Sequence, residues 1–513
     1  MQNQQQPRHW IEPLAEQIIS RKTPPFVITS GMTTSGPCHV GTLCEFLYPA
    51  VIQKHLKTKN YASEFLFVAD IFDAFDAVPV SMAEFERELA PHLGKPLSNV
   101  PDPYGCCASF GDHFLNEAKQ IMEKFSIRPR VHKANELYAQ GKFDGHARLF
   151  LKNYEKAKAV VSKTSMKDAP ADWNPLMPLC ANCGRISTSA VTEFDENGFS
   201  YTCARDVGYT RGCGHSGESK INEHKYKLTW RLHWPAWMDI FKTSVEGAGV
   251  DHHTRGGSWD TARAVFEEIF HKEPPLSYKF GFVLFKGKKY SKSKGIGLGV
   301  SGVLSLAPPE LISYLILKHD IQENKDFDPT GNRLLELYDD YADAARLASG
   351  DVSALSRADR KRAVAFLLST EKLNWRASFS DVLLYYQIHN DWNKVGQLLD
   401  DARGVAYLKP FIQHWLEEGY APEEYIFKFE PRKPSANITA VRSFAGALKE
   451  EMDPLGVHNL VFEVAKQQGM EPKELFKTLY QTLLGKDRGP RFGKLLFALG
   501  VGKIKNALTD LVG

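Results

Sequence analysis

A histidine and two small residues follow the first apolar run of the chain at a spacing that suits phosphate binding. Residues 26–29 (FVIT) lead through a turn rich in Ser, Gly and Thr to PCHVGT, which holds His39, Gly41 and Thr42. This order is typical of a strand, a glycine-containing loop and a helix start, where backbone N–H groups can face an anion. Gly41 would allow close approach of a ligand, and His39 can donate a hydrogen bond to a phosphate oxygen. An ordinary strand-to-helix turn with a solvent-facing histidine would use the same residues.

A second segment groups cations and hydroxyls directly after another apolar run. Residues 280–285 (FGFVLF) come shortly before KYSKS, which supplies Lys289, Ser291 and Lys292. Lysines in a flexible loop can close over phosphates as negative charge develops during nucleotide transfer. Small neighbouring residues would let such a loop close and reopen. A solvated basic loop is the alternative explanation.

Residues 251–260 (DHHTRGGSWD) form a third candidate site. Gly256 and Gly257 stand just ahead of a helical pattern, so their backbone N–H groups are expected to face a ligand at a helix N-terminus. Asp251 and His252 would add polar contacts from the same loop. A metal pair or a capped loop is the alternative, and the tight Gly-Gly pair favours ligand binding.

Half of the eight cysteines of the chain lie in one short segment. Cys180 and Cys183 form the CxxC turn that lets two thiolates share a metal, and Cys203 and Cys213 would complete the set. His215 is a possible substitute ligand, because the second half is not a CxxC pair. Four protein ligands leave no open position, which predicts a structural zinc rather than a catalytic one. The remaining four cysteines are interpreted as ordinary buried thiols: Cys38, Cys44, Cys106 and Cys107.

Two further clusters allow more than one interpretation. Residues 230–237 (WRLHWPAW) crowd three tryptophans together, and these could line a pocket for an aliphatic or cationic side chain or fill a core between domains. Lys and Arg recur between residues 486 and 505, a pattern that can hold a nucleic-acid backbone. Charge runs of this kind are also typical of solvated helix faces.

The elements that must position these residues change in character along the chain. Up to about residue 160, apolar runs such as 64–68 alternate with helical patterns such as 114–125, which predicts a parallel, doubly wound sheet. The cysteine-rich segment interrupts this alternation, which then resumes as far as residue 280. From about residue 304 onward, helical periodicity dominates and strand signals are scarce.

Composition agrees with a soluble globular protein of more than one domain. The chain has 513 residues, of which 43% are hydrophobic and 24% charged, and it carries a formal net charge of +3. This nearly neutral balance neither proves nor excludes a nucleic-acid partner. No apolar run approaches the length of a membrane span, and the N-terminus has no apolar core of the signal-peptide type, so we expect a cytoplasmic protein.

Taken together, these segments resemble the class I lysyl-tRNA synthetases over nearly the whole chain. Residues 39–42 match the HIGH-type signature of that family, and residues 289–293 match its KMSKS-type signature. Further family-like segments are PDPYG at 101–105, WR and WP at 230–231 and 234–235, DH and GGS at 251–252 and 256–258, and GKDRGPR at 485–491.

The resemblance implies an activity and its partners. Lysine would attack the α-phosphate of ATP to give lysyl-adenylate and pyrophosphate, and a terminal ribose hydroxyl of tRNA-Lys would then take the lysyl group. ATP would act as a substrate with Mg²⁺, zinc would be structural, and we expect a monomer without a membrane partner.

The resemblance also implies domains. Residues 1–320 would form a Rossmann-type α/β catalytic domain with a zinc-containing insertion at about 175–222. Residues 321–513 would form an α-helical region that binds tRNA and its anticodon.

The same resemblance assigns site residues by matching position. The implied catalytic residues are His39, Thr42, Lys289 and Lys292. The implied ATP-binding residues are His39, Gly41, Thr42, Asp251, Gly256, Gly257, Lys289, Ser291 and Lys292. The implied lysine-binding residues are Gly31, Thr33, Asp73, Trp230, His252 and Tyr278.

Two departures from the family pattern and two competing functions qualify these expectations. The HIGH-type motif ends in Thr42 rather than histidine, and Asp76 and Ala77 stand where the family usually carries basic residues.

A glutamyl-type synthetase is one alternative, but residues 24–61 contain no arginine to neutralise a substrate carboxylate. A nucleic-acid-binding protein that retains the fold without activity is the other. Gly41 and Lys292, whose loss would favour it, are both present.

Overall fold

The chain divides into two compact units, seen in a computed structural model that describes residues 8–289 and 298–513. The first unit contains Met1–Leu304, Ile312–Phe327 and Asp351–Ser369. The second contains Ser305–Leu311, Asp328–Gly350 and Thr370–Gly513. Ser291 and Lys292, which we predict to bind ATP, lie outside the described residues.

The strands are numbered in chain order. They are β1 Phe26–Met32, β2 Ser63–Ala69, β3 Arg130–Lys133, β4 Leu176–Pro178, β5 Ser189–Phe194, β6 Gly198–Cys203, β7 Ser216–Lys220, β8 Tyr226–Leu228, β9 Val245–Gly249, β10 Leu276–Phe280, β11 Val283–Phe285, β12 Lys288–Lys289 and β13 Lys325–Phe327.

The α-helices follow the same numbering, and several short 3₁₀ turns connect them. They are α1 Ile11–Arg21, α2 Leu43–Thr58, α3 Glu86–Leu89, α4 Phe110–Lys124, α5 Ala134–Ala139, α6 Asp144–Lys152, α7 Tyr154–Ser165, α8 Trp230–Ile240, α9 Ser258–Val265, α10 Val300–Leu304, α11 Pro309–Leu317, α12 Arg333–Ala348, α13 Arg357–Ser369, α14 Phe379–His389, α15 Trp392–Leu398, α16 Ala402–Glu417, α17 Ile438–Ala447, α18 Pro454–Gln467, α19 Pro472–Leu484, α20 Phe492–Leu499 and α21 Val501–Val512.

A five-stranded parallel sheet forms the centre of the first unit. Its strand order is β10-β9-β1-β2-β3. Strands β2 and β3 follow on one side of β1, and β9 and β10 pair on the other side of β1, all in parallel. The predicted parallel sheet is therefore confirmed. In sheets of this kind the crevice at the carboxyl ends of the strands, where the order reverses, is the usual place for a ligand. Here that point lies between β1 and β9.

The apolar run at residues 280–285 contributes to two different strands. It divides into β10, which ends the parallel sheet, and β11, which pairs with β12 and with β13. Gly281 passes so close to another segment that a Cβ there would lie 2.3 Å from the carbonyl oxygen of Glu323. The strand β13 itself lies within the region predicted to be helical, because three residues are too few to establish a periodicity.

The cysteine-rich insertion forms its own small β structure between α7 and α8. Strands β5, β6 and β7 make an antiparallel sheet, and β4 pairs antiparallel with β8. The insertion ends at β8, and α8 of the sheet region begins two residues later.

Helices α4 and α18 illustrate how local sequence sets the helix starts. The predicted helix at residues 114–125 begins one turn earlier, because the Ser109 hydroxyl accepts a hydrogen bond of 3.1 Å from the Asp112 amide. Asp453 caps α18 of the second unit in the same way, ahead of Pro454 at its first position. None of the helices in the described part of the chain is long and apolar enough to cross a membrane.

Candidate active site

A cavity of about 280 Å³ opens at the carboxyl ends of β9 and β10 in the first unit. It brings together five residues predicted from three separate motifs. The residues that line it are His39, Gly41, Glu45, Gly249, Asp251, His252, Phe280, Gly281, Phe282, Val283 and Lys289.

His39 and Gly41 lie in the turn that joins β1 to α2. A 3₁₀ turn over Val40–Thr42 precedes α2, and the Thr42 amide donates to the His39 carbonyl at 2.9 Å. A Cβ on Gly41 would lie 2.9 Å from Cε1 of His39, so the small residue leaves room for the imidazole. Thr42 is buried at the start of α2 and does not line the cavity.

Lys289 approaches the same cavity from β12. Its Nζ atom lies 3.6 Å from the ring centroid of Phe282, a cation–π contact that holds the ammonium group at the cavity wall. After residues 290–297, the backbone of Gly299 pairs with that of His39. Lys289 and Gly299, which stand on either side of residues 290–297, therefore both lie near His39.

The loop after β9 brings Asp251 and His252 to the cavity, whereas the backbone amides of Gly256 and Gly257 donate hydrogen bonds within the loop itself. The Gly256 amide donates to the Asp260 carboxylate at 3.1 Å, and the Gly257 amide donates to the Thr254 carbonyl at 2.7 Å. Neither amide is thus free for a ligand in this structure.

Arg231 on α8 binds the other side of this loop, because its guanidinium donates to the carbonyls of Gly256 and Gly257 at 2.8 and 3.1 Å. A Cβ on Gly257 would lie 2.3 Å from the His252 carbonyl. The two glycines therefore fix the shape of the loop.

An aromatic wall lies beside the cavity on α8. The Trp230 ring stacks on Trp234 with centroids 5.6 Å apart, and it lies 6.2 Å from the His252 ring. Trp237 approaches Gly31 so closely that a Cβ on Gly31 would lie 2.9 Å from the indole. Gly31 of β1 is therefore a neighbour of Trp230, Trp237 and His252, which lie about 200 residues later in the sequence.

A buried carboxylate holds this wall in place. Glu246 on β9 accepts hydrogen bonds from Nε1 of Trp234 at 2.5 Å and of Trp237 at 3.1 Å, and a third from the Thr29 hydroxyl. Burial raises the pKa of Glu246 to about 7, against the lowering effect of these three donors. The carboxylate thereby fixes both indoles from the sheet side.

A buried ionic cluster lies next to the wall. Nζ of Lys227 on β8 lies 2.7 Å from Asp70 Oδ2 and 3.0 Å from Asp73 Oδ1, and the Thr33 hydroxyl donates to Asp73 Oδ2 at 3.3 Å. Lys227 and Asp70 side chains are 2% and 1% exposed, whereas Asp73 is 41% exposed. Asp73 thus presents a fixed carboxylate at the open side of the cluster.

The charges of this cluster do not cancel. Burial alone would lower the pKa of Lys227, but the charges of Asp70 and Asp73 outweigh burial and raise it. Burial lowers the pKa of the adjacent His233 well below its usual value, and Lys227 adds to that shift. With two carboxylates, one ammonium and a neutral imidazole, the cluster carries one excess negative charge.

Tyr278 lies apart from the other residues predicted to bind lysine. On one face of the sheet, the side chains of Thr29 and Glu246 point toward α8. On the other face, Ser30 contacts Glu45 of α2, and the Tyr278 ring lies 6.3 Å from the ring of Tyr48, which is also on α2. Tyr278 is buried on this second face of the sheet. The motif match gave no information on which face its side chain occupies.

The four predicted zinc ligands converge in the insertion. Sγ atoms of Cys180 and Cys213 are 3.7 Å apart, as are those of Cys183 and Cys203, and all four sulfurs lie within 4.8 Å of one another. This is a tetrathiolate donor set of the kind that suits tetrahedral zinc. His215 is not a member of the group.

A second group with metal-binding chemistry was missed. Cys106 is exposed and Cys107 half-buried, so our interpretation of both as buried thiols is wrong. The sulfur of Cys106 lies 3.2 Å from that of Cys107 and 3.2 Å from Nδ1 of His113, which is 3.3 Å from Asp102. The order Asp, Cys-Cys, His within one short segment is the signal that could have identified it.

Removal of the Lys227 ammonium is expected to destabilise the first unit. Lys227→Met leaves Asp70 and Asp73 as unpaired charges, and we expect a loss of about 3 kcal/mol or more in the free energy of unfolding. The exposed neighbour Lys225 is the matched control, and Lys225→Met should change stability by less than about 0.5 kcal/mol. Denaturant unfolding followed by tryptophan fluorescence measures both, because α8 lies beside the cluster. Equal stability of the two variants would contradict the ionic account.

Comparison with known proteins identifies the family. The family model described as tRNA synthetases class I (K) matches residues 8–372. The lysine–tRNA ligase of Archaeoglobus fulgidus is 30% identical, over 98% of this chain and 99% of its own length. Those of Methanosarcina barkeri and Thermoplasma volcanium are each 30% identical, over 95% and 97% of this chain and 95% and 99% of their own lengths. Because the family model and full-length relatives agree, the chain belongs to the class I lysyl-tRNA synthetases.

Proposed function

We propose that this chain attaches lysine to tRNA-Lys through a lysyl-adenylate intermediate. The observation that carries the proposal is the meeting of His39, Gly41, Asp251, His252 and Lys289 in one cavity, beside the tryptophan wall. The first step would join the carboxylate of lysine to the α-phosphate of ATP and release pyrophosphate. The second would transfer the lysyl group to a terminal ribose hydroxyl of the tRNA and release AMP.

The chain would act on ATP by position and charge rather than through a protein nucleophile. His39 and the turn at Gly41 would hold the phosphates on one wall, while Lys289, with Ser291 and Lys292 of the same segment, would close on them from the other. Mg²⁺ would enter with ATP and neutralise part of its charge. Asp251 would bind polar groups of the nucleotide, and the buried Thr42 would hold the turn that carries His39 and Gly41. ATP binding by Gly256 and Gly257 stays a prediction, as does a role for Tyr278 in binding lysine.

The charge of the neighbouring pocket favours lysine over glutamate. Gly31, Thr33, Trp230 and His252 would surround the aliphatic side chain, and Asp73 would accept its ammonium group. The excess negative charge around Asp70, Asp73 and Lys227 supports this assignment, because it attracts a cation and repels a second carboxylate. Trp230, which is 37% exposed, could add a cation–π contact.

We assign the catalytic domain to residues 1–320 and tRNA and anticodon binding to residues 321–513. Among the basic residues near the C-terminus, Lys494 pairs with Asp381, whereas Arg488, Arg491 and Lys503 are exposed to solvent. Exposed cations near the C-terminal helices suit contacts to a nucleic-acid backbone.

Both metal-binding groups fit structural zinc. Cys180, Cys183, Cys203 and Cys213 would hold one ion in the insertion, and the group of Asp102, Cys106, Cys107 and His113 would hold another. Each group offers four protein ligands, so zinc would stabilise its segment without an open position for chemistry. Zinc has no place in the reaction proposed above.

Pyrophosphate exchange provides the test of the proposed reaction. The chain should catalyse exchange between ATP and pyrophosphate with lysine, and Lys292→Ala should lower the rate by about 100-fold or more, because it removes a cation that stabilises the transition state. Assays with each amino acid, with and without bulk tRNA, cover the possibility that activation requires tRNA. Exchange with glutamate and not with lysine would contradict the assignment.

Asp73→Asn tests the side-chain pocket. Loss of the charge that faces the substrate ammonium should raise KM for lysine at least about tenfold and leave KM for ATP nearly unchanged. The exposed Asp76 three residues later gives the control, and Asp76→Asn should behave as wild type. Thermal melts of both variants detect any general loss of structure. A normal KM for lysine in Asp73→Asn would remove Asp73 from the pocket.

Metal analysis tests both zinc groups at once. Purified protein should contain two zinc ions per chain, and Cys183→Ser and Cys107→Ser should each remove one independently. Cys44 is buried and outside both groups, so Cys44→Ala should retain two. One zinc in the wild type would refute one group, and the variants show which; a folded, zinc-free protein would refute both.

A further inference from the structure

One acidic side chain of the cavity has no role in the function proposed so far. Glu45 lies in the first turn of α2 and lines the cavity together with His39, Gly249 and Asp251. It belongs to neither the HIGH-type signature nor any other motif found in the sequence. Its position nevertheless places a carboxyl group at the wall of the cavity that the proposed reaction requires for ATP.

The contacts of Glu45 fix one of its oxygens, and within the described part of the chain no cation is among the groups that shift its pKa. Oε2 accepts a hydrogen bond of 2.7 Å from the Ser30 hydroxyl. The charged neighbours that affect it are acidic, namely Glu246 and Asp251. Burial raises the pKa of Glu45 to about 8, these two carboxylates raise it further, and the Ser30 hydrogen bond opposes the shift. An acid in such surroundings favours the arrival of a cation.

The geometry of the substrate shows which cation would arrive. Ser30, which holds Glu45, directly precedes Gly31 at the tryptophan wall, where the lysine side chain would lie. Glu45 itself faces the cavity assigned to ATP. The α-carbon of the substrate has to lie between these two places, because its carboxylate must reach the α-phosphate while its side chain occupies the pocket. The α-ammonium group is attached to that same carbon.

We propose that Glu45 binds the α-ammonium group of the substrate lysine and thereby orients the adjacent carboxylate toward the α-phosphate of ATP. This inference rests on the proposed function and deepens it. Lysine carries two ammonium groups, and the chain would recognise each with a different carboxylate, Glu45 for the α-group and Asp73 for the side chain. No bond forms or breaks at Glu45.

Asp251 is the other acidic residue of the cavity and is less suited to this role. Its Oδ1 atom would lie 2.5 Å from a Cβ on Gly249, so the carboxylate folds back over the end of β9. Glu45 reaches the cavity from the α2 side, and its hydrogen bond to Ser30 holds it beside β1, the strand whose next residue, Gly31, faces the tryptophan wall. A protonated Glu45 that donates to an ATP phosphate is the competing role, and the experiment separates the two.

The test compares L-lysine with 6-aminohexanoic acid, which has the same chain and carboxylate but no α-amino group. Binding of each is measured by calorimetry for wild type and for Glu45→Gln. We expect Glu45→Gln to weaken L-lysine binding by about 10- to 100-fold and to leave 6-aminohexanoic acid unchanged. Because both ligands titrate the same protein sample, partial unfolding would lower both signals alike. Glu86→Gln, at an exposed position of α3, is the matched control and should change neither.

Ser30→Ala provides a second variant if Glu45→Gln does not fold. Loss of the hydroxyl that holds Oε2 should weaken L-lysine binding by a smaller factor, again without an effect on 6-aminohexanoic acid. Equal weakening of both ligands, no weakening of either, or an increase in KM for ATP alone would overturn the role of Glu45. Failure of the wild type to catalyse lysine-dependent exchange would instead overturn the proposed function itself.

Discussion

The parallel contact between β1 and β9 is the constraint on which the candidate site depends. These strands come from opposite ends of the sheet region, and their register pairs Ile28 with Val245 and Thr29 with Glu246. The Ser244 amide and hydroxyl bond to the backbone of Val27 at 2.8 and 3.1 Å and extend this short ladder. Since the strand order reverses here, the ends of both strands open onto the same crevice.

The pairing of β1 with β9 places the segments that follow these strands on two sides of the same cavity. The turn after β1 delivers His39 and Gly41, and the loop after β9 delivers Asp251 and His252. On the sheet itself, the Thr29–Glu246 hydrogen bond ties the strands together, and the same carboxylate holds the indoles of α8. One buried acid thus connects the register of the sheet to the position of the aromatic wall.

Acidic groups dominate the surroundings of the proposed amino-acid pocket. Isolated buried carboxylates are unfavourable, and each one here is offset by specific partners: indoles and a hydroxyl at Glu246, and an ammonium at Asp70. Asp73 has an open side toward the pocket, and Glu45 and Asp251 line the cavity. A substrate with two ammonium groups complements that arrangement, whereas a second carboxylate would not.

Sequence reasoning predicted the parts of this site that lie next to one another in the chain. The HIGH-type turn, the loop after β9 and the four cysteines each form a short pattern, and the structure brings each set together. Lys227, Glu246 and Glu45 could not be found in that way, because each is a single charged residue whose partners come from distant elements.

Two features have physical causes that single-sequence patterns do not capture. The close passage of Gly281 against Glu323 divides an apolar run that otherwise looks like one strand. Cys106 and Cys107 were interpreted from residue type alone, although Asp102 and His113 stand close to them in the sequence and in the structure.

The most direct measurement is a crystal structure of the protein with a non-hydrolysable sulfamoyl analogue of lysyl-adenylate. We expect the side-chain ammonium within hydrogen-bonding distance of Asp73, with the aliphatic chain between Trp230 and Gly31. The adenosine should occupy the cavity between His39 and Lys289. An ammonium group that points away from Asp73, or an adenosine bound outside this cavity, would contradict the assignment of the lysine and ATP sites.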